Sequence, residues 1–170
     1  MKKVLVIGSG GSGKTTFSKK LAARTGLPLI HLDQLFWRPG WDPTPDAEWD
    51  RLIADLAARD AWIMDGNYGR TIVPRMAAAD TIIFLDLPRL VCTWRILKRQ
   101  IRYAGRTRPD SALGCPERLT WEFVAWVWTY PSRRRPEMFQ RLDALRSTKN
   151  VVILESQREV DAYLAVLARD

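Results

Sequence analysis

The chain has 170 residues and a mass of 19.5 kDa, a length that suits one domain with one sizeable core. Its 46% apolar and 27% charged residues are those of ordinary globular material and exclude a disordered tail or a fibre. No run approaches the ~18 uninterrupted apolar residues of a membrane span. The Val4–Ile7 run after Lys2 and Lys3 is too short for a signal peptide. Cys92 and Cys115 form neither a C-x-x-C pair nor a disulfide framework, so a cytoplasmic location is expected.

The net charge of +8 is local. Between Arg89 and Arg146 stand 13 basic and 5 acidic residues, while the rest of the chain is balanced. Such a block points to an anionic partner, either a phosphate-bearing small molecule or nucleic acid.

In chain order, the aliphatic run Lys3–Ile7 predicts a first strand. After it, Gly8-Ser9-Gly10-Gly11-Ser12-Gly13-Lys14-Thr15 satisfies G-x-x-x-x-G-K-[ST], directly before a helical pattern. Glycines at this spacing let backbone N–H groups wrap a phosphate, and the helix N-terminus adds partial positive charge. Lys14 is expected at the β- and γ-phosphates of ATP and Thr15 at Mg²⁺, with Thr16 completing the nucleotide-binding set. Pro28–Leu32 predicts a second strand, followed by a Pro/Gly/Trp-rich loop over Arg38–Pro45. Trp49, Leu52, Ile53 and Leu56 then recur at helical spacing, with Thr44 as N-cap and Pro45 at the first helical position.

Trp62–Asp65 and Thr81–Asp86 predict buried parallel strands, and Leu90, Trp94, Leu97 and Ile101 mark the apolar face of the helix that follows. A long insertion over Gly105–Tyr130 precedes the last strand, Val151–Leu154, and carries Trp121, Trp126 and Trp128, read as core packing. Ser156-Gln157-Arg158-Glu159 is a capping box opening a final helix with Val160, Tyr163, Leu164 and Leu167 inward. Alternating strands and helices predict one α/β domain over residues 1–170, helices covering both faces of a parallel sheet. Both insertions could then cover the crevice at the carboxyl ends of the strands.

The loop class can be narrowed. No base-reading N-K-x-D occurs, which excludes a GTPase. Asp86 is followed by Leu87-Pro88 rather than the acidic partner of oligomeric motors. Small P-loop kinases remain. The segments His31-Leu32-Asp33-Gln34-Leu35-Phe36-Trp37 with Pro39-Gly40-Trp41, and Trp62-Ile63-Met64-Asp65-Gly66-Asn67-Tyr68, make the match closer. So do Thr107-Arg108-Pro109-Asp110, Gly114-Cys115-Pro116-Glu117 and the basic run before Pro136. With these, the chain resembles the nucleoside-monophosphate-kinase group across its full length, and within it the adenylate-kinase-related DNA topology modulation proteins.

That resemblance implies a three-layer α/β/α P-loop fold with a five-stranded parallel sheet in the order 2-3-1-4-5 and a helical lid near residues 103–135. It implies Mg·ATP-dependent transfer of the γ-phosphoryl group to a small acceptor. Asp65, opening a segment similar to the D-G-F-P-R of adenylate kinases, would order Mg²⁺-bound water. Asp33, Trp37, Asn67 and Arg70 would meet the acceptor, although Arg70 stands one residue late and Asn67-Tyr68 replaces Phe-Pro. Arg95, Arg99 and Arg102 share a stripe on the helix entering the lid, and Arg133, Arg134 and Arg135 follow the lid. In this group both places supply arginines to phosphates, a role that suits the planar guanidinium fork. His31 reads as a satisfied core histidine, and no zinc site is expected in a lid holding only Cys115. The rival reading is an ATP-switched nucleic-acid-binding regulator, which lacks any helix-turn-helix or similar motif.

Overall fold

The computed structural model describes residues 1–107 and 111–167. Of the Thr107–Asp110 motif, residues 108–110 therefore lie outside the described residues. The order of elements is β1 (Lys3–Gly8), α1 (Lys14–Thr25), β2 (Leu29–His31), α2 (Leu32–Phe36), β3 (Trp37–Arg38), β4 (Asp42–Pro43) and α3 (Asp46–Ala58). Then come β5 (Trp62–Asp65), a 3₁₀ turn (Gly69–Thr71), α4 (Ile72–Ala78), β6 (Thr81–Leu85) and α5 (Arg89–Tyr103). The chain closes with α6 (Trp121–Arg133), α7 (Arg135–Leu145), β7 (Asn150–Leu154) and α8 (Gln157–Val166).

Five strands form one parallel sheet in the order β2-β5-β1-β6-β7, the expected 2-3-1-4-5 when the small β3–β4 hairpin is set aside. β5 and β6 are buried throughout and β1 over Val4–Gly8, as continuous aliphatic runs in a doubly covered sheet should be. Alternate residues feed two cores. Leu5, Ile7, Met64, Ile82 and Phe84 join α3, α4 and α7 on one face. Val4, Val6, Ile63, Ile83 and Leu85 join α1, α5 and α8 on the other. Among the described residues, no helix is long and apolar enough to cross a membrane.

Two local expectations are corrected. Thr44 is not the cap of α3: it is buried, and its hydroxyl donates to the carbonyls of Leu35 and Phe36, tying the hairpin to α2. Pro45 takes the cap position, its carbonyl accepting from Trp49 N–H at 2.9 Å. On α5 the expected apolar face is the outer one, with Leu90, Trp94 and Ile101 exposed by 67%, 65% and 81%. The inner face carries Cys92 and Ile96, because this helix lies directly on the Gly-rich loop. A Cβ on Gly11, whose φ is +75°, would stand 2.3 Å from the Cys92 carbonyl oxygen. Only glycine fits both the conformation and the approach. Gly11→Ala is therefore expected to push α5 off the loop, lowering Tm by several degrees and weakening nucleotide binding, as calorimetry and a thermal melt would show.

The insertion tryptophans also divide. Trp126 packs against both cores, whereas Trp121 and Trp128 are exposed. The final helix follows expectation at Ser156, whose side chain accepts from Glu159 N–H. The Glu159 carboxylate reaches one residue further back, to Glu155 N–H at 2.7 Å.

Candidate active site

β1 ends at Gly8, and the loop Ser9–Gly13 turns straight into α1 with Gly13 in the left-handed region as the cap. The helix thus starts with free N–H groups, the arrangement an anion finds attractive. The loop is braced from the neighbouring strand. Asn67, just past β5, accepts from Gly8 N–H at 3.1 Å and donates its amide to the Gly8 carbonyl at 2.7 Å. Lys14 Nζ curls over the loop and donates to the carbonyls of Gly8 and Ser9, both at 2.9 Å. Burial lowers its pKa below the ordinary value of 10.5, opposed by the nearby carboxylates of Asp33 and Asp65. The hydroxyls of Ser9 and Ser12 are buried without a partner among the described residues, so the loop carries donors that phosphate oxygens could satisfy.

Above the loop lies a cavity of about 500 Å³, within the range of small-molecule sites. Gly10, Gly11, Gly13, Lys14, Thr15 and Thr16 form its floor. Asp33, Trp37, Trp41, Asp65 and Asn67 line the side under β2 and β5, and Arg95 and Arg99 line the side under α5. Its roof joins the two insertions. Gly40 N–H donates to the Gly114 carbonyl, Trp41 Nε1–H to the Pro116 carbonyl, and Cys115 Sγ–H to the Arg38 carbonyl. Phe123 and Val127 of α6 come down on Gly10, where a Cβ would meet Phe123 at 2.8 Å.

Asp65 is buried and pairs with His31, Nδ1 to Oδ2 at 3.0 Å. The two residues are directly opposite in the β2–β5 register, which is why they meet. A carboxylate only accepts, so Nδ1–H of His31 is the donor and sets the ring's orientation. The histidine is thus a partner of the candidate site rather than a core residue. Asp33 opens α2 and accepts from the Tyr68 hydroxyl at 2.6 Å. Tyr68, at φ 36°, is held between Phe36 and Trp49, and desolvation beside Asp33 pushes its hydroxyl far above the ordinary phenol range, so it stays a donor.

Arg95 reaches the loop at the Ser12 carbonyl and Gln157 of α8. Arg99 makes a 2.7 Å ion pair with the buried Glu117 and lies over Phe123. Neither Glu117 nor Asn67's brace was visible as such in the sequence; both depend on segments far apart in the chain.

Three expected arginines stand elsewhere. Arg70 points to the outer surface, where it pairs with Asp46 and Asp50 of α3. The buried arginine of this region is Arg75, which donates to the carbonyls of Gly66, Asn67, Tyr68 and Thr71 and thereby shapes the loop after β5. Desolvation lowers its pKa to about 10, so it remains a cation at neutral pH. Arg75→Ala would strand these carbonyls, with an expected loss of about 3 kcal/mol in urea denaturation. Arg133 and Arg134, at the end of α6, are exposed and do not line the cavity. The third of that run, Arg135, pairs with Asp86 at 2.6 Å and with Glu155.

Thr15 and the two carboxylates offer oxygen donors only, the set that suits Mg²⁺. Among the described residues no three His, Cys, Asp or Glu side chains gather around one point, so a cation here would complete its shell with phosphate and water oxygens.

No family model matches the chain. One stretch of 59 residues is 42% identical to a protein of Natronomonas pharaonis that carries the name of an adenylate kinase. The match covers 35% of this chain and 34% of that relative, about a third of each. The crystal structure of shikimate kinase from Bacteroides thetaiotaomicron superposes with a TM-score of 0.55 at 17% identity, covering 98% of this chain and 95% of that one. Shikimate kinase from Acinetobacter baumannii in complex with shikimate does so with a TM-score of 0.58 at 14% identity, covering 99% and 92%. The chain has the α/β P-loop kinase fold.

Proposed function

We propose that this chain is a Mg·ATP-dependent phosphotransferase of the adenylate-kinase-like group, related to the DNA topology modulation proteins, acting on a small acceptor in the cytoplasm. The observation that carries the reading is convergence on one covered cavity. A phosphate-wrapping loop with Lys14 and Thr15 forms its floor, Asp33 and Asp65 line one side, and Arg95 and Arg99, the latter paired with Glu117, line the other. Two buried, unpaired cysteines suit a reducing compartment.

In this reading the loop N–H groups and Lys14 hold the β- and γ-phosphates, and Lys14 offsets the charge that grows there during transfer. Thr15 and Asp65, with Asp33 near them, would hold Mg²⁺, which supplies further positive charge at the reacting phosphates. Arg95 and Arg99 present guanidinium groups to the nucleotide side. The joined hairpin and lid exclude water, which would otherwise take the phosphoryl group. Catalysis is then mainly positioning and charge stabilisation.

The basic block offers little support to the nucleic-acid reading. Arg135, Arg141 and Arg146 make ion pairs with acidic neighbours, Arg95 and Arg99 line the cavity, and Arg89 and Arg102 lie over aromatic rings.

The test is isothermal calorimetry with a non-hydrolysable ATP analogue, with and without Mg²⁺, alongside ADP release with and without a mixed pool of hydroxyl and phosphate acceptors. Mg²⁺-dependent binding and acceptor-dependent ADP release are expected. An absence of analogue binding would remove the kinase reading altogether.

A further inference from the structure

The outer face of α5 carries a row of apolar side chains with nothing over them. Leu90, Trp94, Leu97 and Ile101 recur at i, i+4, i+7 and i+11, so they form one exposed stripe, with Val91 exposed beside it. The inner face is occupied by the glycine loop through Cys92 and Ile96, while Arg95 and Arg99 turn into the cavity. α6 lies alongside in the opposite sense, since Arg89 stacks over Trp128 near its end and Arg99 over Phe123 near its start. Trp128 therefore stands next to the start of the stripe, and Trp121, seven residues earlier, shares its face of α6; both rings are exposed.

The charge around the stripe has one sign. Residues 89–107 hold six basic side chains and no acidic one. Lys98 stands four residues after Trp94 and three before Ile101, so it borders the stripe, and Arg102 continues that border one turn on. Arg106 follows just past the end of the helix. All three are exposed and, among the described residues, none has a carboxylate partner; Arg102 rests only over the Tyr103 ring. Arg135, Arg141 and Arg146 further along the chain are, by contrast, each answered by an acid.

From this pattern we infer that the outer face of α5 docks the protein peripherally on an anionic phospholipid surface. Leu90, Trp94, Leu97 and Ile101 enter the boundary between headgroups and acyl chains, and Lys98, Arg102 and Arg106 reach back to the lipid phosphates on their aliphatic stems. A basic helix with a Trp- and Leu-bearing apolar face is the chemistry that such a surface selects. The charge decides among occupants. A second copy paired through α5 would set this cationic border against a helix that has no acid to answer it. Nucleic-acid phosphates would neutralise the cations but leave the apolar stripe in water. A bilayer surface satisfies both at once, and the cavity stays free because Arg95 and Arg99 leave α5 on another side.

The test is flotation of the full chain with vesicles of phosphatidylcholine alone and of equal parts phosphatidylcholine and phosphatidylglycerol, at low and high salt. Wild-type protein should bind the anionic vesicles about tenfold or more tighter than the neutral ones, and salt should weaken that binding. Brominated acyl chains should quench its tryptophan fluorescence, which contact with headgroups alone would not do. Trp94→Ser with Ile101→Ser should weaken vesicle binding by about tenfold or more and remove much of the quenching. Lys98→Glu with Arg106→Glu should weaken it by about tenfold or more. All four side chains are exposed, so Tm and affinity for the ATP analogue should stay near wild type. Equal binding to both kinds of vesicle, or a folded double-serine variant that binds as wild type does, would overturn the inference. So would self-association, seen by sedimentation velocity without vesicles and abolished by the serine pair, which would give the face to a second copy. Duplex DNA held more tightly than the vesicles, and equally well by the serine pair, would overturn it in favour of nucleic acid. Should a variant melt early, the wild-type protein decides alone: anionic vesicles that leave its tryptophans unquenched would end the proposal.

Discussion

Lys14→Ala should reduce kcat/KM for phosphotransfer by about 10²–10³-fold or more while leaving the thermal melt nearly unchanged. Its ammonium rests on the carbonyls of Gly8 and Ser9, both loop atoms, and the side chain lines the cavity. Those two bonds are what the ammonium gives up when a phosphate arrives, so their loss is felt in function before stability. The direction of the Lys14 pKa supplies a second readout. Burial has lowered it in the free protein, and a bound polyphosphate selects the charged form. Affinity for the ATP analogue should therefore weaken as pH rises through that lowered value, below 10.5, and the variant should lack this limb. An alanine variant that turns over at the wild-type rate would show that the loop does not handle the reacting phosphates.

What could be read from the sequence was whatever a short contiguous stretch encodes. The phosphate loop is eight residues in a row between an aliphatic strand and a helix, and its glycines declare the backbone conformations observed at Gly11 and Gly13. The strands declared themselves because a doubly covered parallel sheet needs unbroken aliphatic runs, and their order followed from the resemblance. The hidden parts depend on register and on which way a turn points. His31 meets Asp65 only because β2 and β5 align them, and a lone histidine in sequence carries no such information. Arg70 misses its expected place because the 3₁₀ turn at Gly69–Thr71 directs it toward Asp46 and Asp50, while Arg75, to which the sequence assigned no role, faces inward. The face of α5 was inverted by a general bias, since apolar residues at helical spacing usually pack inward. Here the inward face lies on glycine backbone and admits only Cys92 and Ile96, with Arg95 and Arg99 tipping into the cavity. The bonds from the hairpin to Cys115 and Pro116 join residues some 75 positions apart, beyond the reach of any local pattern.

For Asp65→Asn the expected result is a fall in kcat of about 100-fold or more with far less change in affinity for the ATP analogue. The substitution keeps shape and can still accept from His31 Nδ1–H, so the β2–β5 pairing that places both residues should survive. What it removes is one negative charge, 4% exposed, at the end of the strand beside the phosphate loop. A charge used to hold Mg²⁺ and its waters at the reacting phosphates matters most when phosphoryl charge is redistributing, and little in the resting complex. A purely structural carboxylate would behave in the opposite way. Its loss would leave His31 with a weaker partner, lower Tm, and leave kcat per folded molecule unchanged. Measuring kcat, analogue affinity and Tm on the same preparation separates the two. A second variant, His31→Gln, refines the answer by keeping the Asp65 charge while removing the ring that orients it. If Asp65 acts through its position, His31→Gln should lower kcat by less than Asp65→Asn does, with analogue affinity again near wild type. Equal losses of stability in both variants, with kcat intact, would assign the pair to the fold and leave Thr15 as the remaining cation ligand of the site.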